Sequence, residues 1–255
     1  MDASRPYRQS YENLPPISVL GQSSTLVLVA SRLARILDGL EKRYGAPRIG
    51  PASDPYEMLV VATCGYPASE GACAKGFAAL RENVGVAPAD ILGAPRKKLA
   101  LAMRAGGIVP DLRAERLREI ASRVTHEFRG DLKGALAVPV SQAKKVLKSF
   151  PTIADAGAEK ILLLSRIAPL MAIPSNATQV PLRLGFGCEG KSWATGYKSA
   201  QKALSEELIE AFEPRIRAHL LLKVHGQTIC KRARPLCEQC PVTRDCAYFA
   251  NLPPR

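Results

Sequence analysis

No run of this chain approaches the ~20 consecutive apolar residues needed to cross a bilayer as a helix. No membrane partner is therefore expected. The opening residues, Met1-Asp-Ala-Ser-Arg-Pro-Tyr-Arg8, lack the apolar core of a secretory leader. The short run Thr25–Ala30 is too brief for one and is followed at once by Arg32 and Arg35. These absences predict a cytoplasmic, reducing location, in which Cys64, Cys73 and Cys188 are free thiols needing no role beyond packing. Strand-like alternation is scarce and no internal repeat is found, so the chain reads as all-α. Acidic residues are also in short supply: 23 Asp and Glu face 36 Lys and Arg, a formal charge of +13. Such an excess on a non-membrane chain points to a polyanionic partner, nucleic acid ahead of an anionic membrane. At 255 residues, 47% of them hydrophobic, the chain can bury one large core or two smaller ones.

Taken in order, residues 1–22 are polar, aperiodic and contain Pro15-Pro16, and read as a flexible arm. From Ser24 to Tyr44 apolar residues (Leu26, Val29, Leu33, Ile36, Leu37, Leu40) recur at three- and four-residue intervals, and Gly45 with Pro47 ends the run. Asp54-Pro55 is a helix start, with Asp54 as cap and Pro55 in the first turn. Further helices are predicted over 71–83, 95–105, 112–127, 142–149 (capped by Ser141), 157–165, 199–212 and 214–229. Gly85, Pro88, Gly106-Gly107 and Pro110 punctuate the series.

The sharpest feature lies near the end. Cys230, Cys237, Cys240 and Cys246, four of the seven cysteines, fall within one short segment spaced C-x6-C-x2-C-x5-C. A thiolate tetrad this compact is a ligand set for an iron–sulfur cluster or zinc. Spacing alone leaves the two open, although zinc sites of four cysteines usually pair two short knuckles and only Cys237 and Cys240 make one.

The tetrad with its lead-in, His225-Gly226-Gln227-Thr228-Ile229-Cys230, and with Pro235 in its first loop, resembles the endonuclease III-like helix-hairpin-helix DNA glycosylases. Asp54–Leu59 is similar to an early helix of that family, and Gly107 with Arg113-Ala114 and Leu117 is similar to another of its segments. The resemblance implies a 4Fe-4S cluster on the four cysteines. It also implies a two-lobed all-helical fold. One lobe, residues 50–170, would be a six-helix barrel ending in the hairpin; the other would join 23–49 to 171–255. Double-stranded DNA would lie across the cleft, bound by a monomer.

The family's hairpin turn offers backbone N–H groups to a phosphate and is usually written L-P-G-V-G. Its counterpart is Phe150-Pro151-Thr152-Ile153-Ala154, with Thr152 and Ala154 where glycines are expected for positive φ and close approach. The resemblance makes Thr152, Ile153, Ala154 and Gly157 the hairpin's DNA contacts, with Asp155 repelling a phosphate. From Arg215 to Arg244 there are seven basic residues and one acid, Glu238. Lys231, Arg232 and Arg234, between the first two cysteines, are the expected phosphate-binding loop.

The family's chemistry needs a lysine early in the helix after the hairpin and a carboxylate in a later V-D-x-x segment. Aligning Phe150-Pro151 puts Ala156 at the lysine position. Aligning Ser175-Asn176 and Arg183-Leu184-Gly185 puts Pro174 at the aspartate position, and no Asp or Glu lies between Lys160 and Glu189. Pro67 falls near where the family often has a glutamine that enters the space left by a flipped base. The favoured reading is a DNA-binding family member with an atypical or lost active site and no lyase activity. The alternatives are a monofunctional glycosylase with relocated groups, for which Asp155, Glu159 and Lys160 are the nearest candidates, and an iron–sulfur redox or sensing protein.

Overall fold

The computed structural model describes residues 31–50, 52–65 and 70–253. The proposed arm, the start of the first helix before Ser31, and Pro67 lie outside the described residues. Every regular element among them is helical: α1 (Arg32–Tyr44), α2 (Pro55–Gly65), α3 (Glu70–Asn83), α4 (Pro88–Gly93), α5 (Arg96–Met103), α6 (Pro110–Glu127), α7 (Leu132–Ala135), α8 (Val140–Lys148), α9 (Asp155–Leu164), α10 (Gln179–Leu184), α11 (Trp193–Glu207), α12 (Phe212–Thr228) and α13 (Ala247–Ala250), with three short 3-10 turns. The all-α reading holds.

Local chemistry explains most of the boundaries. Ser31 caps α1 by accepting from Ala34 N at 3.2 Å, and Leu33, Ile36, Leu37 and Leu40 form its buried stripe. Asp54 Oδ1 accepts from Tyr56 N at 2.8 Å and Glu57 N at 3.3 Å, so α2 starts at Pro55. Three expectations need correction. Pro88 opens α4 instead of ending an element, because proline lacks only an N–H that the first turn leaves unbonded anyway. Ser141 is inside α8, whose cap position is held by the fixed φ of Pro139. The helix expected at 199–212 begins six residues earlier, where Ser192 and Thr195 form a reciprocal capping box.

Ser31–Arg255 is one compact unit. Its buried apolar side chains nevertheless form two clusters. One gathers Leu59, Leu80, Leu99, Leu117, Ile120 and Leu162 from α2 to α9. The other joins Leu37 of α1 to Ile173, Val180, Leu204, Leu221 and Val242. Helices α9 and α12 serve both: Ala156 belongs to the second cluster but Ala158 and Ile161 to the first, while Ile216 and Leu220 belong to the first but Ala218 and Leu221 to the second. These two helices form the seam on which the candidate site is built.

Candidate functional site

Helices α8 and α9 form the hairpin, and its turn keeps a left-handed residue without glycine. Thr152 sits at φ 68°, and its Oγ1 is buried with no hydrogen-bond partner. That combination is costly for a β-branched residue, so the surroundings must hold it. Arg123 does much of this: it donates to Ser149 O at 2.7 Å and Ser149 Oγ at 2.8 Å, and its guanidinium stacks 4.5 Å from the Phe150 ring. Ile153 packs on the first cluster, Ala154 is exposed, and Gly157 is half-buried. Ala154 occupies the cap of α9 without a side-chain hydrogen bond, so no side chain caps the first-turn amides. Asp155 is exposed and receives a hydrogen bond from Lys148 Nζ at 2.8 Å, which holds its carboxyl below the ordinary range. The acid that would repel a phosphate thus carries its own counter-charge.

Ala156 and Pro174, the positions that the resemblance sets against catalytic groups, are both buried. Ala156 is only 6% exposed and lies in the second cluster with Ile173 and Ala177. These two residues bracket Pro174, which is itself buried, its carbonyl accepting from Ala177 N at 2.9 Å. Ser175 and Asn176 are exposed beside it.

The neighbouring candidates separate clearly. Lys160 is half-buried. Glu159 is buried and its carboxylate is fully engaged: Lys144 Nζ donates to Oε1 at 2.5 Å, and Tyr197 OH and Gln201 Nε2 donate to Oε2 at 2.6 and 2.8 Å. Gln201 Nε2 also donates to Met171 O at 2.9 Å, and Tyr197 OH accepts from Ile173 N at 3.3 Å. Burial, reinforced by the Glu159 charge, raises the pKa of the Tyr197 phenol, so it remains a donor. This network ties both hairpin helices to α11 and to the segment that carries Pro174. Tyr197 and Gln201 stand 38 and 42 residues from Glu159, and no local motif marks them.

The cysteine loop is organised by Arg183, from the Arg-Leu-Gly that sets the register. Its guanidinium donates to Lys231 O at 2.8 Å, Arg232 O at 2.7 Å and Cys230 Sγ at 3.6 Å, and lies 5.0 Å from the Tyr248 ring. Gln179 Nε2 adds a hydrogen bond to Cys230 O at 3.0 Å. Gly226 has a steric reason: a Cβ there would come within 2.5 Å of Ala177 Cβ, where α12 crosses the start of α10. Gly185, at φ 89°, ends α10 in the left-handed conformation. His225 is buried, with Nδ1 2.9 Å from Tyr44 OH and Nε2 3.6 Å from Cys240 Sγ.

Cys230, Cys237, Cys240 and Cys246 are all partly buried and line one cavity with Arg183, His225, Tyr248 and Phe249. Burial raises the Cys230 thiol, an effect opposed by Arg183, and pushes Cys240 up to about 11. Among the described residues no three His, Cys, Asp or Glu side chains are grouped so as to hold a metal ion. Lys231, Arg232 and Arg234 are exposed on the loop. Of the other cysteines, Cys64 is buried, Cys73 half-buried and Cys188 exposed, so a packing role does not extend to Cys188. No helix among the described residues is long and apolar enough to cross a membrane.

No protein-family model matches the chain. It is 26% identical over 178 residues to an endonuclease III of Sulfolobus acidocaldarius, covering 69% of this chain and 74% of that one. It superposes with a TM-score of 0.67 on an endonuclease III trapped as a covalent intermediate with DNA, at 20% identity, over 88% of this chain and 98% of that one. A thermostable thymine-DNA glycosylase gives a TM-score of 0.65 at 18% identity, over 87% and 98%. The chain is thus similar in sequence to an endonuclease III and shares the all-helical fold of solved endonuclease III and thymine-DNA glycosylase structures.

Proposed function

We propose that this protein binds double-stranded DNA through the hairpin turn and the cysteine loop, and that it lacks the family's lysine-dependent strand cleavage. The observation that carries the reading is the state of the two family positions. Ala156 is a buried methyl group and Pro174 a buried ring, so neither an amine nor a carboxylate is available there. Glu159, one turn along the same helix, has its oxygens taken by three donors. The kinship and the solved DNA complex of an endonuclease III support duplex binding. The exposed Lys231, Arg232 and Arg234 supply phosphate contacts, and the uncapped start of α9 supplies amides for another.

The cysteine set suits the family's 4Fe-4S cluster. Its four donors are all soft sulfur, they line a single cavity, and Arg183 brings a positive charge to Cys230. When bound, the cluster supplies a one-electron redox centre and a rigid tie between distant parts of the loop. The chain's own contribution is to hold that loop against α10 through Arg183 and Gln179.

Borohydride trapping on a duplex with an abasic site tests the catalytic part of the reading. The expected result is no covalent adduct above the enzyme-free control. A robust adduct refutes it, and its mapping to Lys160 would show the amine relocated by one helical turn. Purified protein should be yellow-brown with about four irons per chain. One zinc and no iron would overturn the cluster assignment.

A further inference from the structure

Trp193 is the only tryptophan in the chain, and it is 44% exposed. It is the first residue of α11, a position fixed by the Ser192–Thr195 capping box, in which Ser192 Oγ accepts from Thr195 N at 3.3 Å and Ser192 N donates to Thr195 Oγ1 at 3.0 Å. One side of its ring packs on Tyr197, with centroids 5.0 Å apart and planes inclined by 31°. Tyr197 is immobilised in turn by Glu159 and by the Ile173 amide. A large aromatic surface is therefore held on a rigid support and left open to solvent. Tryptophan in a stable monomeric surface is usually covered over most of its area, and a pre-set ring is what base stacking requires.

The ring lines a groove of about 360 Å³ whose other walls include Gln179, Arg183, Glu189 and Arg232. This space matches small planar ligands. Arg232 reaches the groove from the cysteine loop, with its backbone carbonyl pinned by Arg183 at 2.7 Å, and Lys191 is exposed two residues before Trp193. Glu189 is the single acid on the walls and disfavours a phosphate at that end. The group that enters is then a base, with its flanking phosphate toward Arg232.

We infer that this groove is a second nucleic-acid site, in which an unpaired base of a DNA strand stacks on Trp193 beside the duplex-binding surface. The inference rests on the DNA-binding reading above and adds to it a preference for single-stranded or bulged DNA. Stacking of this kind is tolerant of base identity, so the expected ligand class is any strand segment with an extruded base.

Since Trp193 is the sole tryptophan, its emission reports on the groove directly. Full-length protein is titrated with a short oligothymidylate, with a fully paired duplex and with the same duplex carrying one bulged nucleotide. Oligothymidylate and the bulged duplex should quench the emission, whereas the paired duplex should bind with little change. Trp193→Ala should weaken oligothymidylate binding about tenfold, Trp193→Phe should stay within about threefold, and both should bind the paired duplex as the parent does. Matching melting temperatures confirm folding; if Trp193→Ala melts early, the Phe variant and the quenching data decide. Unchanged emission together with unchanged affinity in the Ala variant would overturn the stacking site while leaving duplex binding intact. Absence of binding to all three DNAs would instead overturn the DNA-binding reading, and the groove with it. Quenching that follows protein concentration without DNA would assign the surface to self-association and likewise overturn the proposal.

Discussion

At the scale of single residues, Glu159 shows how a buried carboxylate can be held as a structural group. A charge taken from water is costly unless its acceptor sites are filled, and Lys144, Tyr197 and Gln201 fill them here. Tyr197→Phe would remove a donor from Glu159 and leave the Ile173 N–H without its acceptor. A loss of about 2 kcal/mol is expected, or about 4–8 °C in melting temperature for a domain of this size. Glu159→Ala should cost more, about 3 kcal/mol, because it also strands Lys144. Thermal and urea unfolding would measure both, and variants as stable as the parent would mean that the network does not bind the hairpin to α11. Thr152 predicts the opposite sign. At φ 68° with an unpartnered buried hydroxyl, it stands where glycine would be relaxed. Thr152→Gly should therefore stabilise the protein by about 1 kcal/mol, raising the midpoint in urea at unchanged slope; a lower midpoint would show that the hydroxyl or methyl is needed.

At the scale of elements, the sequence was informative wherever the physics is local. The buried stripe of α1, the Asp54-Pro55 start and the all-helical class follow from spacing and caps alone. The early start of α11 was missed because Ser192 and Thr195 stand ahead of a run whose periodicity strengthens only later, and Pro88 reads equally as a stop or as a first helical residue. The support for the cysteine loop could not be read at all. Arg183 meets Lys231 and Arg232 across 48 and 49 residues, through backbone carbonyls that carry no sequence signature. That support bears on the loop's basic side chains. Since Arg183 holds the carbonyls, Lys231, Arg232 and Arg234 can be replaced together by alanine without dismantling the loop. Duplex affinity should fall about equally for all sequences, and the slope of log K against log salt should flatten by up to about 3 units. Unchanged affinity and slope would assign this charge to solubility alone.

At the scale of the whole molecule, the two apolar clusters meet along α9 and α12, and Ala156 lies on that seam with its side chain inside the second cluster. A lysine serving as a nucleophile needs an accessible amine, but the Ala156 methyl is buried, in the same apolar cluster as Ile173 and Ala177. On the reading proposed above, position 156 differs from the resembled pattern in packing as well as in chemistry. Restoring the family residues, as Ala156→Lys with Pro174→Asp, should not restore strand cleavage. Four methylenes would enter a filled cluster at about 1–3 kcal/mol, and burial would lower the pKa of the new ammonium or drive it out of the cluster. The double variant should melt several degrees below the parent and remain silent in borohydride trapping. A double variant that melts like the parent and forms an adduct at position 156 would show that the seam can open to a nucleotide, and that only the reactive groups had been exchanged.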